Sequence, residues 1–138
     1  MPDVRITSQP APGFVDWVSD RLYEFNVEAT GMDDGEWLVA SIERDGRTIA
    51  GLSGHTWGGC CEVENVWVEA TARGQGLGRA LLGAAESEAR RRGCTQIVLS
   101  THSFQAPGFY EKLGFRRIGA VPNRPRGHQN LIYLKVLT

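Results

Sequence analysis

Residues 73 to 78 read RGQGLG and run directly into the helical stretch RALLGAAESEARRRG. Three alternating glycines, Gly74, Gly76 and Gly78, stand between Arg73 and Arg79, with Gln75 and Leu77 in the gaps. Glycine in a helix costs about 1 kcal/mol relative to alanine, so this cluster marks either an unusual turn or a group that must come close to the backbone. The first amides of a helix lack intrahelical partners and lie at the positive end of its dipole. Amides opened by glycine there suit an anion such as a pyrophosphate, and the two arginines add charge. A dinucleotide-binding turn does not fit, because G-x-G-x-x-G needs its third glycine three residues after the second. A P-loop does not fit either, for want of Gly-Lys-Ser/Thr. On these residues alone, an anion cradle and a purely structural turn both stay open.

Metal and thiol chemistry find less support. Cys60, Cys61 and Cys94 are odd in number and form no C-x-x-C pair, which points to reduced, structural thiols. His55, His102 and His128 are scattered, with no H-x-x-x-H or H-E-x-x-H spacing, so no metal is expected.

The elements that must position the glycine turn follow from periodicity. The 138 residues suit one domain over 1–138, large enough to bury a core unaided. Residues 3 to 7 read as a short edge strand, broken by PAPG. In FVDWVSDRLYEFNVEA the apolar residues recur at helical spacing opposite Asp16, Asp20, Glu24 and Glu28, an amphipathic helix with an acidic face. EWLVASIE, TIAGLSGHTW and CCEVENVWVEA read as three antiparallel strands joined by an Asp-Gly turn and a Gly-Gly turn. The helix after the glycine turn ends in RRR and stops at Gly93, and TQIVLST then reads as a buried strand parallel to the one before the helix. QAPGFYEKLG supplies a short helix, with strands at FRRIGAV and NLIYLKVL. The expected order is β-α-β-β-β-α-β-α-β-β, an α/β fold with a mixed, mostly antiparallel sheet and flanking helices.

The segment VWVEATARGQGLGRALLGAAESEARRRG resembles the acetyl-CoA-binding segment of the GNAT superfamily of N-acetyltransferases, whose R/Q-x-x-G-x-G/A signature is filled by Arg73, Gly76 and Gly78. FYEKLGFRRIG is similar to the family's second hallmark, a helix with an aromatic residue and a tyrosine before LGF. The two stand in the family's order, and the strand order over nearly the whole chain is that of its fold. The resemblance implies a cofactor site in which the backbone of Val66, Trp67 and Val68 pairs with the pantetheine arm. The turn Arg73, Gly74, Gln75, Gly76, Leu77, Gly78 and Arg79 would hold the phosphates. It implies Tyr110 as general acid toward the departing CoA thiolate, a reasonable task for a phenol that stays protonated at neutral pH. A general base is needed to take the acceptor's proton, and the family's glutamate on the central strands points to Glu64 or Glu62. These lie two residues apart and share a strand face unless a bulge intervenes. Two departures stand out: Ala70 replaces a common proline, and Ser103 replaces an asparagine that contacts the cofactor seven residues before the tyrosine.

Charge divides along the chain. Residues 1 to 70 hold 13 acidic and 4 basic side chains, and residues 71 to 138 hold 3 acidic and 11 basic, so the halves are −9 and +8. The resemblance puts the first helix and the loop after it beside the acceptor. Asp16, Asp20, Glu24, Glu28, Asp33, Asp34 and Glu36 there face a lone Arg21, which points to a cationic small-molecule amine. Overall charge near zero speaks against nucleic acid, and the absence of a long apolar run speaks against a membrane. A soluble, cytoplasmic enzyme is expected, monomeric or homodimeric, transferring acetyl directly from acetyl-CoA to a primary amine. A CoA-binding sensor module without turnover and an enzyme acting on protein or peptide amines are the alternatives.

Overall fold

Turn chemistry sets the central meander. Asp45 and Gly46 both adopt left-handed backbone, with φ of 54° and 73°, as do Gly58 and Gly59 at 59° and 83°. Two-residue turns of this hand match the right-handed twist of the strands they join. They connect β1 (Glu36–Arg44) to β2 (Arg47–Trp57), and β2 to β3 (Cys60–Val68). A short 3₁₀ turn at Ala70–Ala72 leads into the glycine turn and a helix at Leu77–Arg91.

The computed structural model describes residues 1–138 and divides them into two compact units, 1–33 and 34–138. The first holds α1 (Phe14–Thr30), which starts after Gly13 and ends at Gly31, whose amide donates to the Val27 carbonyl at 2.7 Å. Phe14 stacks on Trp17, and the Arg21 guanidinium lies 5.6 Å from the Trp17 ring centre while pairing with Glu24 at 2.6 Å. The strand expected at residues 3 to 7 does not form. It offers only Val4 and Ile6 as apolar side chains, both exposed, and a strand exists only where a ladder partner is found.

In the second unit the helix after β3 is α2 (Leu77–Arg91), followed by β4 (Gln96–His102), α3 (Pro107–Lys112), β5 (Arg116–Pro122) and β6 (Gln129–Val136). The six strands form one sheet in the order β1-β2-β3-β4-β6-β5, antiparallel except for the β3–β4 pair. That parallel pair with α2 between its members is the expected crossover. Leu81, Leu82, Ala85 and Ala89 give α2 its buried stripe, packed on Leu52, Cys61, Val63, Ile97 and Leu99 of the sheet. Each such leucine contributes on the order of 1.5–3 kcal/mol by leaving water. Arg92, just past α2, donates to the Trp37 carbonyl and to Thr56 Oγ1, both at 3.0 Å, and so fastens the end of the helix to β1 and β2.

Candidate active site

β3 and β4 run side by side only from Cys60 opposite Gln96 to Val63 opposite Leu99. Beyond that point β3 continues along β2 as far as Val68, and β4 continues along β6 as far as His102. The two strands therefore part, and the edge of β3 that faced β4 has no ladder partner over Val66, Trp67 and Val68. A cavity of about 900 Å³ occupies the opening, a size that takes a large organic ligand. Val66, Trp67 and Val68 line one wall, and Arg73, Gly74, Gly76, Leu77, Gly78 and Arg79 line another.

The three glycines have different tasks. Gly74 and Gly76 take φ of 79° and 80°, and a Cβ at either would meet nothing within 4 Å. Both need the left-handed backbone that costs other residues about 1–2 kcal/mol, and both open on space. Gly78 is helical, and a Cβ there would stand 3.2 Å from Phe109 Cζ, so its glycine lets α3 pack against α2. The start of α2 has no side-chain cap, and Leu77, Gly78 and Arg79 of its first turn line the cavity. Arg73 Nε donates to the Val68 carbonyl at 3.0 Å, tying the turn to the open edge of β3.

Tyr110 lies on α3 in the cavity wall and is 9 % exposed. Its ring meets Phe109 and Phe115 edge to face, with ring centres 5.1 and 5.9 Å apart. The Phe115 amide donates to the Tyr110 carbonyl, and Tyr133 donates its hydroxyl to Glu111 at 2.7 Å, so α3 is held from both sides. Burial pushes the Tyr110 phenol above its ordinary pKa.

Glu64 owes its place to a bulge. Ser53 pairs with Asn65 but Gly54 with Val63, so Glu64 has no partner on β2. Gly54 makes room for the slip: a Cβ there would fall 2.1 Å from the Glu62 carbonyl oxygen. Glu64 lines the cavity, whereas Glu62 does not. Both carboxylates reach His55 on β2, Glu64 Oε1 at 2.9 Å from Nδ1 and Glu62 Oε2 at 3.3 Å from Nε2.

Two other expected residues turn elsewhere. Gln75 accepts from Arg44, at the end of β1, at 3.2 Å, and does not line the cavity. Ser103 accepts from the Gln129 amide at 3.0 Å and so joins the β4–α3 loop to β6 instead of the cavity. In its stead the loop presents Phe104, Gln105 and Ala106, and β4 presents Ser100 and Thr101. The only sequence signal for these is their place between a buried strand and the tyrosine helix. The basic surplus is also spread out: Arg90, Arg91, Arg92 and Lys135 are engaged with Glu86 or Glu88, and only Arg73, Arg79 and Lys112 reach the cavity. No group of three or more His, Cys, Asp or Glu side chains is placed to hold a metal ion.

A family model described as the Acetyltransferase (GNAT) family matches residues 5–115, about four fifths of the chain. The chain belongs to that family. Blasticidin-S acetyltransferase of Streptomyces morookaense is 40% identical over 93 residues, covering 67% of this chain and 68% of its own. Acetyltransferase Atu2258 of Agrobacterium fabrum is 36% identical over 105 residues, covering 75% and 77%. The crystal structure of an acetyltransferase from Bacillus cereus superposes with a TM-score of 0.81 at 26% identity, over 96% of this chain and 98% of that one. This GNAT protein is thus an acetyl-CoA-dependent N-acetyltransferase, with the family's mixed α/β sheet. The cavity fits that co-substrate on its own terms: an unpaired strand edge suits an amide-bearing arm, and two open glycines at an uncapped helix start suit its phosphates.

Proposed function

We propose that the protein acetylates the primary amine of a cationic small molecule, with Glu64 taking the amine proton and Tyr110 serving the leaving sulfur. The observation that carries this reading is a cavity with poles of opposite sign: Glu64 at the parting of the strands, Arg73 and Arg79 at the helix start. The thioester of acetyl-CoA supplies the activated acyl group. Val66, Trp67 and Val68 orient the arm through their backbone, and the turn residues Gly74, Gly76, Leu77 and Gly78 bind the phosphates together with Arg73 and Arg79.

An ammonium cannot attack, so a carboxylate must first accept its proton, and Glu64 is the carboxylate in the cavity. The amine then forms the C–N bond as the C–S bond breaks, and the electron pair leaves on sulfur. The Tyr110 hydrogen is aimed at that pair. A phenol above pKa 10 facing a thiolate of ordinary thiol pKa, about 8.5, makes full transfer uphill by at least about 2 kcal/mol. Tyr110 therefore acts as a hydrogen-bond donor to the thiolate and ends the cycle protonated, while the second nitrogen proton, released as the amide forms, ends on the sulfur as the product leaves.

The carboxylate pole favours a cation, and the acceptor in the name of the blasticidin-S relative supports a small molecule. The test is kcat/KM for matched cationic and anionic amines at two ionic strengths. Cationic amines should be preferred, and the preference should fade as the screening length falls from about 10 Å at 0.1 M to about 3 Å at 1 M. Preference for anionic acceptors, or no salt dependence, would refute the cationic assignment.

A further inference from the structure

His55 lies in neither of the two motifs that carry the family resemblance, yet it is the one side chain that touches both candidate carboxylates. Its Nδ1 is 2.9 Å from Glu64 Oε1, and its Nε2 is 3.3 Å from Glu62 Oε2, a few tenths beyond an ordinary hydrogen bond and within the reach of a small side-chain adjustment. The imidazole has one hydrogen and two nitrogens when neutral, so a ring held between two carboxylates can receive a proton on one side and release another on the opposite side. Side-chain exposure is 44% for Glu64, 38% for His55 and 54% for Glu62, so the ring is the least exposed of the three and Glu62 the most, with Glu64 the member that lines the cavity. The ring's other strand neighbour is Trp37, opposite it on β1, which brings no charge.

We infer that His55 is a positioning and proton-relay residue, which fixes Glu64 toward the acceptor and carries the acceptor's proton from Glu64 through Glu62 to water. This rests on the acetyltransfer reading above. The need for such a path follows from the balance of the reaction. A protonated amine and a thioester give an amide, a thiol and one free proton. That proton starts inside a cavity filled by two substrates.

Each step conserves charge and hydrogen. The Glu64 carboxylate takes the proton from the ammonium. His55, with its hydrogen on Nε2, accepts at Nδ1 as it gives the Nε2 hydrogen to the Glu62 carboxylate. Glu62 passes it to water. The half-exposed ring returns to its first tautomer by exchange with solvent, and both glutamates end ionised. The arrangement depends on the Glu64 bulge, because only the one-residue slip between Gly54 and Ser53 lets Glu64 be a cavity residue while its carboxylate still reaches His55. Exposed pairs of this kind add about 1 kcal/mol or less to stability, so His55 is not explained as a staple.

The test compares the parent with His55→Gln and His55→Ala on an amine the parent acetylates, with ring nitrogen NMR of the parent, Glu64→Gln and Glu62→Gln proteins alongside. Glutamine keeps a donor near the carboxylates but cannot relay. Both His55 variants should lose about tenfold to a hundredfold in kcat with acetyl-CoA affinity unchanged. Added imidazole should restore part of the rate in His55→Ala and none in His55→Gln. The Nδ1 signal should move in Glu64→Gln and the Nε2 signal in Glu62→Gln. A parental kcat in His55→Gln, or ring signals indifferent to both glutamates, would overturn the relay while leaving acetyl transfer intact. A parent that acetylates no amine would instead overturn the acetyltransfer reading, and the relay with it.

Discussion

Two glycines on the same segment, Gly76 and Gly83, should respond in opposite ways to added side chains. Gly76 precedes α2 at φ 80°, and its missing Cβ looks onto the cavity. Gly83 lies within α2, away from that cavity, in ordinary helical backbone with nothing within 4 Å of a Cβ. Gly83→Ala should therefore stabilise the protein by about 0.5–1 kcal/mol, raising Tm by a few degrees, and leave acetyl-CoA affinity unchanged. Gly76→Val should lose about 1–2 kcal/mol of stability, the cost of left-handed backbone for a residue with a Cβ. Its side chain would also fill the space assigned to the pyrophosphate, so affinity for acetyl-CoA should fall by more than tenfold, about 1.4 kcal/mol. Calorimetry with acetyl-CoA below the unfolding temperature of each variant separates the two effects. Undiminished affinity in a folded Gly76→Val protein would refute the cradle.

Tyr110→Phe should lower kcat by about a hundredfold with acetyl-CoA affinity nearly unchanged, because a hydrogen bond to a charged group is worth about 1.5–3 kcal/mol; equal rates would return Tyr110 to the core. Gly54→Ala places a Cβ 2.1 Å from the Glu62 carbonyl oxygen, so Tm should fall by several degrees and turnover by more than the loss of folded protein explains, as Glu64 shifts; an unchanged Tm would show that the bulge is not built on Gly54. Alkaline pH should also destabilise the fold. Burial pushes the Cys61 thiol from an unfolded value of 9.0 up to about 11, so between those values the unfolded chain has lost a proton that the folded one keeps. Stability is then complete below pH 9 and declines toward pH 11, by up to about 3 kcal/mol from this group, and Cys61→Ala should flatten that decline in a urea titration.

The parts of the fold set by local rules could be read from sequence. Asp45-Gly46 and Gly58-Gly59 announce turns because few other pairs tolerate the backbone they need, and the Leu81, Leu82, Ala85, Ala89 stripe announces which face of α2 is buried. What escaped depends on register and on the direction of single side chains. A strand period of two cannot show that β3 slips by one at Glu64, and Gly54, its only trace, reads in sequence as one more small residue of a strand. Until the slip is known, Glu62 and Glu64 are equivalent, and His55 is a lone histidine nine residues away. Ser103 and Gln75 sit at motif positions, but competing hydrogen bonds to Gln129 and Arg44 turn them aside. Residues 3 to 7 have a strand's composition without a partner, and pairing is not a property of five residues.

The central claim is amine-dependent acetyl transfer from acetyl-CoA in the cavity between β3 and β4. The direct measurement is thiol release from acetyl-CoA across a panel of cationic, neutral and anionic amines, corrected for hydrolysis, with the acetylated amine weighed by mass spectrometry. The expected result is stoichiometric release with at least one cationic amine, abolished in step by Glu64→Gln in a protein that still binds acetyl-CoA. Tight acetyl-CoA binding with no amine-dependent release for any member would contradict the account and leave a CoA-binding module.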